Sequence, residues 1–292
     1  MGQAGKAPGS AIRRVIVFSS AAVMLLGTLG LLGWIAGIRS LAGLRSEYVP
    51  ISPDTALALL VLGLILFFGT REQIRGAGRP LVLGVIAFVS LYGLLKSVEV
   101  LVDVDLTFET ILFPATETVG SFLVKRMSPV TGVLLFLSGI ALQLQLFSSH
   151  RSGTKYLTGA VGLVNMLAGF VATLGYAFGT PLLYGGNVIP LAATTAVGFL
   201  FLGTGLLAAA GPDSILVRYV TGDSASARQL RAILPIIVLA MLVQGYVEVS
   251  ITRAIDVNPV LATALLTIIF IVLTGVMVVR SSQTIFRRAD EA

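Results

Sequence analysis

The sequence predicts an all-α integral membrane protein with eight transmembrane helices, arranged as a tandem duplication of a four-helix unit, with both termini in the cytoplasm. Three observations support this class. Hydrophobic residues make up 56% of the 292 residues and charged residues only 12%, a balance that suits lipid surroundings rather than water. The apolar residues are gathered into runs long enough to cross a bilayer. A short motif also recurs where several of these runs begin.

The apolar runs are continuous and show no strand-like alternation. In lipid, such runs can satisfy their backbone groups internally only as helices. The eight predicted spans are residues 15–38, 53–70, 80–101, 129–147, 156–178, 190–210, 231–250 and 258–280.

The first run follows Arg13 and Arg14 and could be taken for a secretory signal. The apolar core of a signal peptide has about 7 to 15 residues, whereas residues 15–38 form a longer run without a clear small-residue cleavage site. We therefore expect an uncleaved first transmembrane helix.

The second, fourth and sixth runs begin alike. The aligned positions are Ser52 with Ser128, Pro53 with Pro129, Thr55 with Thr131 and Thr195, Ala56 with Ala196, and Gly63 with Gly139 and Gly203. A weaker copy begins at Asn258. Serine before proline is typical of a helix start, with Ser as the N-cap and Pro at the first helical position. Asp54 has no charged counterpart at Val130 or Thr194, so we interpret the motif as a repeated helix start rather than a ligand site.

Longer matches predict the duplication. GWIAGIRSLAG at 33–43 aligns with GYAFGTPLLYG at 175–185, and VEV at 98–100 aligns with VEV at 247–249. We therefore expect a first four-helix repeat in 1–148, a second in 149–281 and a cytoplasmic segment in 282–292. Because each half has an even number of spans, the halves should share one orientation and be related by an axis along the membrane normal.

The distribution of basic residues predicts the orientation. With the N-terminus in the cytoplasm, 14 of the 20 Lys and Arg residues fall on the cytoplasmic side, in keeping with the positive-inside rule. The net charge of +6 then reflects anchors near anionic lipid, and nucleic-acid binding is not expected.

Two connections stand out by length. Residues 102–128 mix apolar and acidic side chains, so we expect one or two short amphipathic helices along the outer interface. This segment could cover an outward-facing pocket or simply pack against the bundle. Residues 211–231 read as a solvated cytoplasmic loop, with the seventh long helix starting near 229–231.

The chemistry that the sequence lacks is also informative. There is no cysteine and a single histidine, His150, so thiolate metal sites, iron–sulfur clusters and a bis-histidine haem site cannot form within this chain. No nucleotide-binding or hydrolase motif is present. We predict a protein that is not an enzyme and that has no cofactor and no metal site.

A few ionisable or amide side chains fall inside or near the apolar runs, where an unpaired charge is costly. The candidates for a polar ligand pocket near the outer leaflet are Lys96, Glu99, Asn165, Gln244 and Glu248. Lys96 and Glu99 are three residues apart and can neutralise each other on one helix face. The alternative is that the charged members extend to the interface close to their helix ends.

Aromatic residues cluster near the predicted outer boundary. They are Trp34, Tyr48, Tyr92, Tyr176, Tyr184 and Tyr246. Rings at this level usually anchor a protein at the membrane interface, and we expect that role here.

The segments VPISPDTALALLVLG, RMSPVTGVLLFLSG and YGGNVIPLAATTAVGFLFLG, followed by ARQLRAILP, together resemble the polytopic N-terminal membrane modules (MASE-type) of bacterial sensor histidine kinases and diguanylate cyclases. The resemblance covers nearly the whole chain. It implies a sensory input module of the bacterial cytoplasmic membrane, as in two-component signalling. In such proteins the last helix continues into a cytoplasmic signalling helix, which residues 282–292 would begin; no kinase, cyclase or PAS segment is present in this sequence.

The implied function is relay of a ligand, lipid or membrane-state signal through the eighth long helix to a cytoplasmic output domain or partner. The expected partners are membrane lipids and either a second copy of the chain or another membrane protein. Two other classes remain open. The chain could be a non-catalytic accessory or structural subunit of a larger membrane complex, or a small-solute transporter or channel, although few polar residues lie in the helix centres.

Overall fold

The computed structural model describes most of the chain. The described residues are 9–45, 48–69, 78–102, 118–119, 122–123, 127–148, 151–179, 190–211, 214, 217–218, 222, 224–254 and 259–290.

The described residues are almost entirely helical, and each of the eight predicted runs falls on one long helix. The helices are α1 (Ser10–Ala36), α2 (Arg39–Gly43), α3 (Pro53–Gly69), α4 (Gly78–Val102), α5 (Pro129–Ser148), α6 (Ser152–Ala177), α7 (Ala193–Ala209), α8 (Ala225–Ala254) and α9 (Pro259–Asp290). The all-α prediction is confirmed. The five-residue helix α2 was not predicted, and α8 begins at Ala225, a few residues before the predicted start.

The two long connections lie largely outside the described residues. Within 102–128, two short antiparallel strands are described, β1 (Thr118–Val119) and β2 (Phe122–Leu123), with Thr118 opposite Leu123. These four residues are therefore extended, in contrast to the predicted amphipathic helices.

Five of the described helices are long and apolar enough to cross a membrane. They are α1, α4 over Gly78–Glu99, α5 over Pro129–Leu146, α6, and α8 over Ala227–Ser250. The apolar parts of the other three long helices are shorter: Pro53–Gly69, Ala193–Ala209 and Thr263–Val279.

The chain forms two compact units, Met1–Val217 and Arg218–Ala292. In the first unit the long helices associate in pairs: α1 with α3 (pair 1), α4 with α5 (pair 2) and α6 with α7 (pair 3). In addition, α7 packs on α1, and α5 contacts α6.

The three pairs cross at equivalent positions of the repeated motif. In each pair a glycine of the first helix lies against a backbone carbonyl in the first turn of the second. A Cβ added to Gly27, Gly93 or Gly169 would lie 2.7, 2.7 or 2.6 Å from the carbonyl oxygens of Ala56, Gly132 and Ala196, respectively. Residues 56, 132 and 196 are the same position of the aligned motif. Only glycine allows the two backbones to approach this closely.

Pairs 1 and 3 also end their first helices alike. The indole Nε1 of Trp34 donates to the carbonyl oxygen of Ile51 (2.6 Å), and the hydroxyl of Tyr176 donates to that of Leu191 (2.7 Å). Gly37 and Gly179 follow with φ of 70° and 71°, the left-handed conformation that glycine tolerates at a helix end. The sequence aligned Trp34 with Tyr176 and these two glycines with each other. The two rings thus tie the first helix of a pair to the start of the second, in addition to any interfacial role.

The core of the first unit lies where pairs 1 and 3 meet. Leu59 and Leu62 of α3 and Phe199 and Leu202 of α7 are fully buried. Gly198 lets the side chain of Leu59 pack directly against the α7 backbone. Helices α3 and α7 are therefore the most enclosed long helices of the first unit.

The helix starts match the sequence prediction. Helices α3 and α5 begin at Pro53 and Pro129. The backbone carbonyls of Ser52 and Ser128 accept the first helical hydrogen bonds, from Ala56 N (2.9 Å) and Gly132 N (3.1 Å). The serines therefore occupy the N-cap position.

The second unit is a helical pair (pair 4) formed by α8 and α9. Two side-chain hydrogen bonds join its helices. Gln244 Nε2 donates to Thr267 Oγ1 (2.8 Å), and Thr263 Oγ1 donates to Glu248 Oε1 (2.6 Å). The described side chains of α9 from 263 to 279 include a large exposed apolar set, as expected for a helix pair in lipid.

Candidate functional site

The five predicted site residues lie on three helices. Lys96 and Glu99 are on α4, Asn165 is in the middle of α6, and Gln244 and Glu248 are on α8 of the second unit. Each group is described by its own contacts.

Lys96 and Glu99 form a buried ion pair. The Nζ of Lys96 lies 2.9 Å from Oε2 of Glu99, and the two side chains are 5% and 9% exposed. The charges of Lys96 and Glu99 are thus paired on one helix face, as their spacing predicts. Both side chains are enclosed by the protein.

Two residues outside the predicted set complete this ionic group. The hydroxyl of Tyr92 on α4 donates to Oδ2 of Asp54 on α3 (2.9 Å). The Nζ of Lys96 lies 5.9 Å from the centroid of the Tyr92 ring, within the range of a cation–π contact. Asp54 Oδ1 also accepts the backbone amide of Thr55 (2.8 Å). We call Asp54, Tyr92, Lys96 and Glu99 the α3–α4 ion cluster.

Sequence reasoning missed Asp54 and Tyr92 for different reasons. The positions aligned with Asp54 carry no charge, which argues against a shared ligand site. The position of Tyr92 is typical of an interfacial ring. A usable signal was present, because α3 begins and α4 ends at the same end of the bundle. An acidic residue in the first turn of α3 is therefore at the same level as polar residues near the end of α4.

The start of α5 lies beside the cluster. Ser97, the residue after Lys96, donates from Oγ to the carbonyl oxygen of Pro129 (3.1 Å) and to that of Gly93 in its own helix (2.8 Å). Ser128 is 3% exposed, and within the described part of the chain its Oγ has no hydrogen-bond partner. A buried hydroxyl of this kind is uncommon and calls for an explanation.

Asn165 belongs to a different contact. Its Oδ1 accepts a hydrogen bond from Ser138 Oγ of α5 (3.0 Å), and its Nδ2 donates to the carbonyl oxygen of Val161 (2.9 Å). Ser138 is nine residues further along α5 than Pro129, about 13 Å at 1.5 Å per residue. The hydrogen bonds of Asn165 therefore link α5 to α6, at a different depth from the ion cluster.

Gln244 and Glu248 are engaged with α9. One turn apart on α8, they bond to Thr267 and Thr263, also one turn apart. These contacts hold pair 4 together by side-chain hydrogen bonds inside an apolar surrounding.

The ion cluster concentrates charge inside the bundle. It holds two carboxylates and one ammonium group in an apolar bundle, where such charges are costly and usually functional. Among the described residues, no group of three or more His, Cys, Asp or Glu side chains could hold a metal ion.

Comparisons with protein-family models, with curated proteins and with solved structures found no match to this chain. The resemblance to MASE-type modules stays a prediction from the sequence.

Proposed function

We propose that this chain is a membrane-embedded sensory input module, which relays a ligand, lipid or membrane-state signal through α9 to a cytoplasmic output domain or partner. The observation that carries the proposal is the continuity of α9. It is one helix from Pro259 to Asp290, 32 residues and about 48 Å long. The apolar part of a bilayer is about 30 Å thick. A helix of this length can cross the membrane and extend beyond it without a break.

Helix α9 has an apolar segment followed by a polar one, as a relay from the membrane to the cytoplasm needs. Thr263–Val279 is apolar, whereas the remainder, RSSQTIFRRAD, is mostly polar or charged. A rigid helix that is anchored in lipid at one end can transmit a rotation or shift to whatever binds its polar end. The ion cluster supplies an element of the first unit whose pairing a stimulus could alter.

The proposed topology has eight spans, arranged as a tandem duplication of a four-helix unit, with both termini cytoplasmic in a bacterial inner membrane. The equivalent glycine crossings of pairs 1 to 3 and the equivalent rings of pairs 1 and 3 support the duplication. The excess of Lys and Arg on one side supports the orientation. The partners are membrane lipids and a second copy of the chain or another membrane protein, and the module is not an enzyme.

Disulfide crosslinking along α9 tests this proposal, since the chain contains no cysteine and single cysteines can be introduced cleanly. Cysteines at successive positions from 280 to 290 are oxidised in native membranes. For a homodimeric signalling helix, the efficiency of crosslinking peaks about every 3.6 residues. The variant Lys96→Met, which disrupts the ion cluster, shifts the favoured positions.

The control is Arg13→Gln, which removes an exposed charge from α1 and leaves the profile unchanged. A profile that is the same in Lys96→Met as in the parent overturns the relay. Crosslinks to a different protein, in constant ratio and insensitive to Lys96→Met, favour the accessory-subunit alternative.

A further inference from the structure

We propose that the start of α5 is a binding site for a carboxylate group, formed by the hydroxyl of Ser128 and the first-turn amides of α5 next to Lys96. This inference rests on the proposed function, since it names the chemical class of ligand that the input module would recognise. It comes from comparing two copies of the same motif within one molecule.

In α3 the motif is complete. Ser52 Oγ lies 2.6 Å from Thr55 Oγ1, and Oδ1 of Asp54 accepts the backbone amide of Thr55 (2.8 Å). The hydroxyl of the N-cap and an amide of the first turn both have partners. The carboxylate also lies at the positive end of the helix dipole.

In α5 the same residues leave the site open. Ser128, Pro129 and Thr131 repeat Ser52, Pro53 and Thr55, but Val130 takes the place of Asp54 and provides no carboxylate. The first turn of α5 contains no acidic residue. Ser128 Oγ is buried and has no hydrogen-bond partner among the residues that the structure describes. The bond from Gly132 N to the Ser128 carbonyl (3.1 Å) makes Ser128 the N-cap residue of α5.

An acceptor with negative charge fits these groups. An unpaired buried hydroxyl is unfavourable until it finds a partner, and a helix N-terminus attracts anions. The carboxylates of the ion cluster are already engaged, Asp54 with Thr55 and Tyr92, and Glu99 with Lys96. The Ser97–Pro129 hydrogen bond holds α4 against the start of α5, and Lys96, which is paired with Glu99, immediately precedes Ser97 in the sequence.

The enclosure limits what can bind. Thr131 is as buried as Ser128, whereas Val130 between them along the first turn is 37% exposed. The ligand proposed is therefore a small carboxylate such as acetate, or the carboxylate end of a longer molecule. The carboxylate of Asp54 shows which group completes the motif in α3.

Thermal unfolding with acetate as the probe tests the site. The purified full chain is followed by the fluorescence of Trp34, its single tryptophan, in sodium acetate and in sodium chloride of equal ionic strength. We expect acetate to raise the apparent Tm of the parent by about 2–4 °C relative to chloride. Ser128→Ala abolishes this rise.

Ser52→Ala is the matched control, since it removes the same group from the motif copy that is already complete. It lowers the Tm and keeps the response to acetate. Val130→Asp supplies in α5 the carboxylate that α3 has, so it raises the Tm in chloride by about 2–4 °C and removes the response to acetate.

Two results overturn the inference. Equal Tm values of the parent in acetate and chloride mean that water alone satisfies Ser128. A Tm rise in acetate that persists in Ser128→Ala means that the anion binds elsewhere. The comparison of the parent with Ser128→Ala tests the site even if Val130→Asp does not fold. The Tm measurement reports binding of the anion, whereas the crosslinking test reports the response of α9. A failure of one can therefore be distinguished from a failure of the other.

Discussion

At the residue scale, the ion pair of Lys96 and Glu99 separates what a sequence reveals from what it hides. Their spacing of three residues on a helix made the contact predictable, because neighbours on a helix face are fixed by the helix itself. The bond from Tyr92 to Asp54 joins residues 38 positions apart and depends on how α3 and α4 sit together. Local pairing was therefore accessible from the sequence, and the tertiary half of the cluster was not.

Asn165 illustrates the same limit. Its polarity within an apolar run identified it as a side chain that needs a partner. The partner, Ser138, lies on a neighbouring helix. Nothing in the spacing of the sequence says whether an isolated amide joins two helices or lines a pocket.

Removing one partner of the ion pair gives the first prediction at this scale. Lys96→Met leaves the Glu99 carboxylate without its ammonium partner while its side chain stays enclosed. Breaking a buried pair in this way costs about 3–5 kcal/mol. We expect a clear fall in the unfolding temperature, measured by the fluorescence of Trp34 in detergent.

The double variant Lys96→Met with Glu99→Gln removes both charges and should regain most of the lost stability. Arg13→Gln, an exposed position on α1, serves as the control and should change little. If the double variant is as unstable as Lys96→Met alone, the loss comes from packing of the lysine stem and not from an uncompensated charge.

At the element scale, the existence of each long helix followed from the sequence, as did the starts of α3 and α5, whereas the start of α8 and the short helix α2 did not. Serine and proline marked the starts of α3 and α5, because an N-cap and a missing amide hydrogen are local features. The five residues of α2 give no periodicity to detect. The sequence shows many glycines within the apolar runs, but it does not show which glycine faces a partner helix.

The close approach of α4 and α5 can be tested at Gly93. Gly93→Ala places a Cβ 2.7 Å from the carbonyl oxygen of Gly132, so α4 and α5 must separate. Overpacking of this kind costs about 1–3 kcal/mol. The measurement is the unfolding temperature of the full chain in detergent.

Gly84→Ala is the matched control on the same helix, because a Cβ there meets nothing within 4 Å. Alanine is the better helix former by about 0.5–1 kcal/mol, so this variant should be neutral or slightly more stable. If Gly84→Ala and Gly93→Ala lower the unfolding temperature equally, the close approach of α4 and α5 is not the cause.

At the scale of the whole molecule, the repetition was readable but the arrangement of the pairs was not. Repeated motifs reveal themselves by their period. The packing of α7 against α1 has no such signature, since lipid is as apolar as the protein core and a buried face looks like a lipid-facing one. Helices α3 and α7 carry most of the fully buried apolar side chains, and their central position became evident only from the structure.

The topology supplies the last prediction. The distribution of Lys and Arg predicts that the N-terminus and the α5–α6 connection lie in the cytoplasm and that the α1–α3 connection lies outside. The chain has no native cysteine. Single cysteines at the exposed positions Ser10, Leu44 and Ser152 can therefore report the side of the membrane by labelling with a membrane-impermeant maleimide.

Leu44→Cys should be labelled in intact spheroplasts. Ser10→Cys and Ser152→Cys should be labelled only in inverted vesicles, because four spans separate two ends on the same side. Labelling of Ser10→Cys and Ser152→Cys from opposite sides would mean that an odd number of helices crosses between them, which the four-helix repeat does not allow.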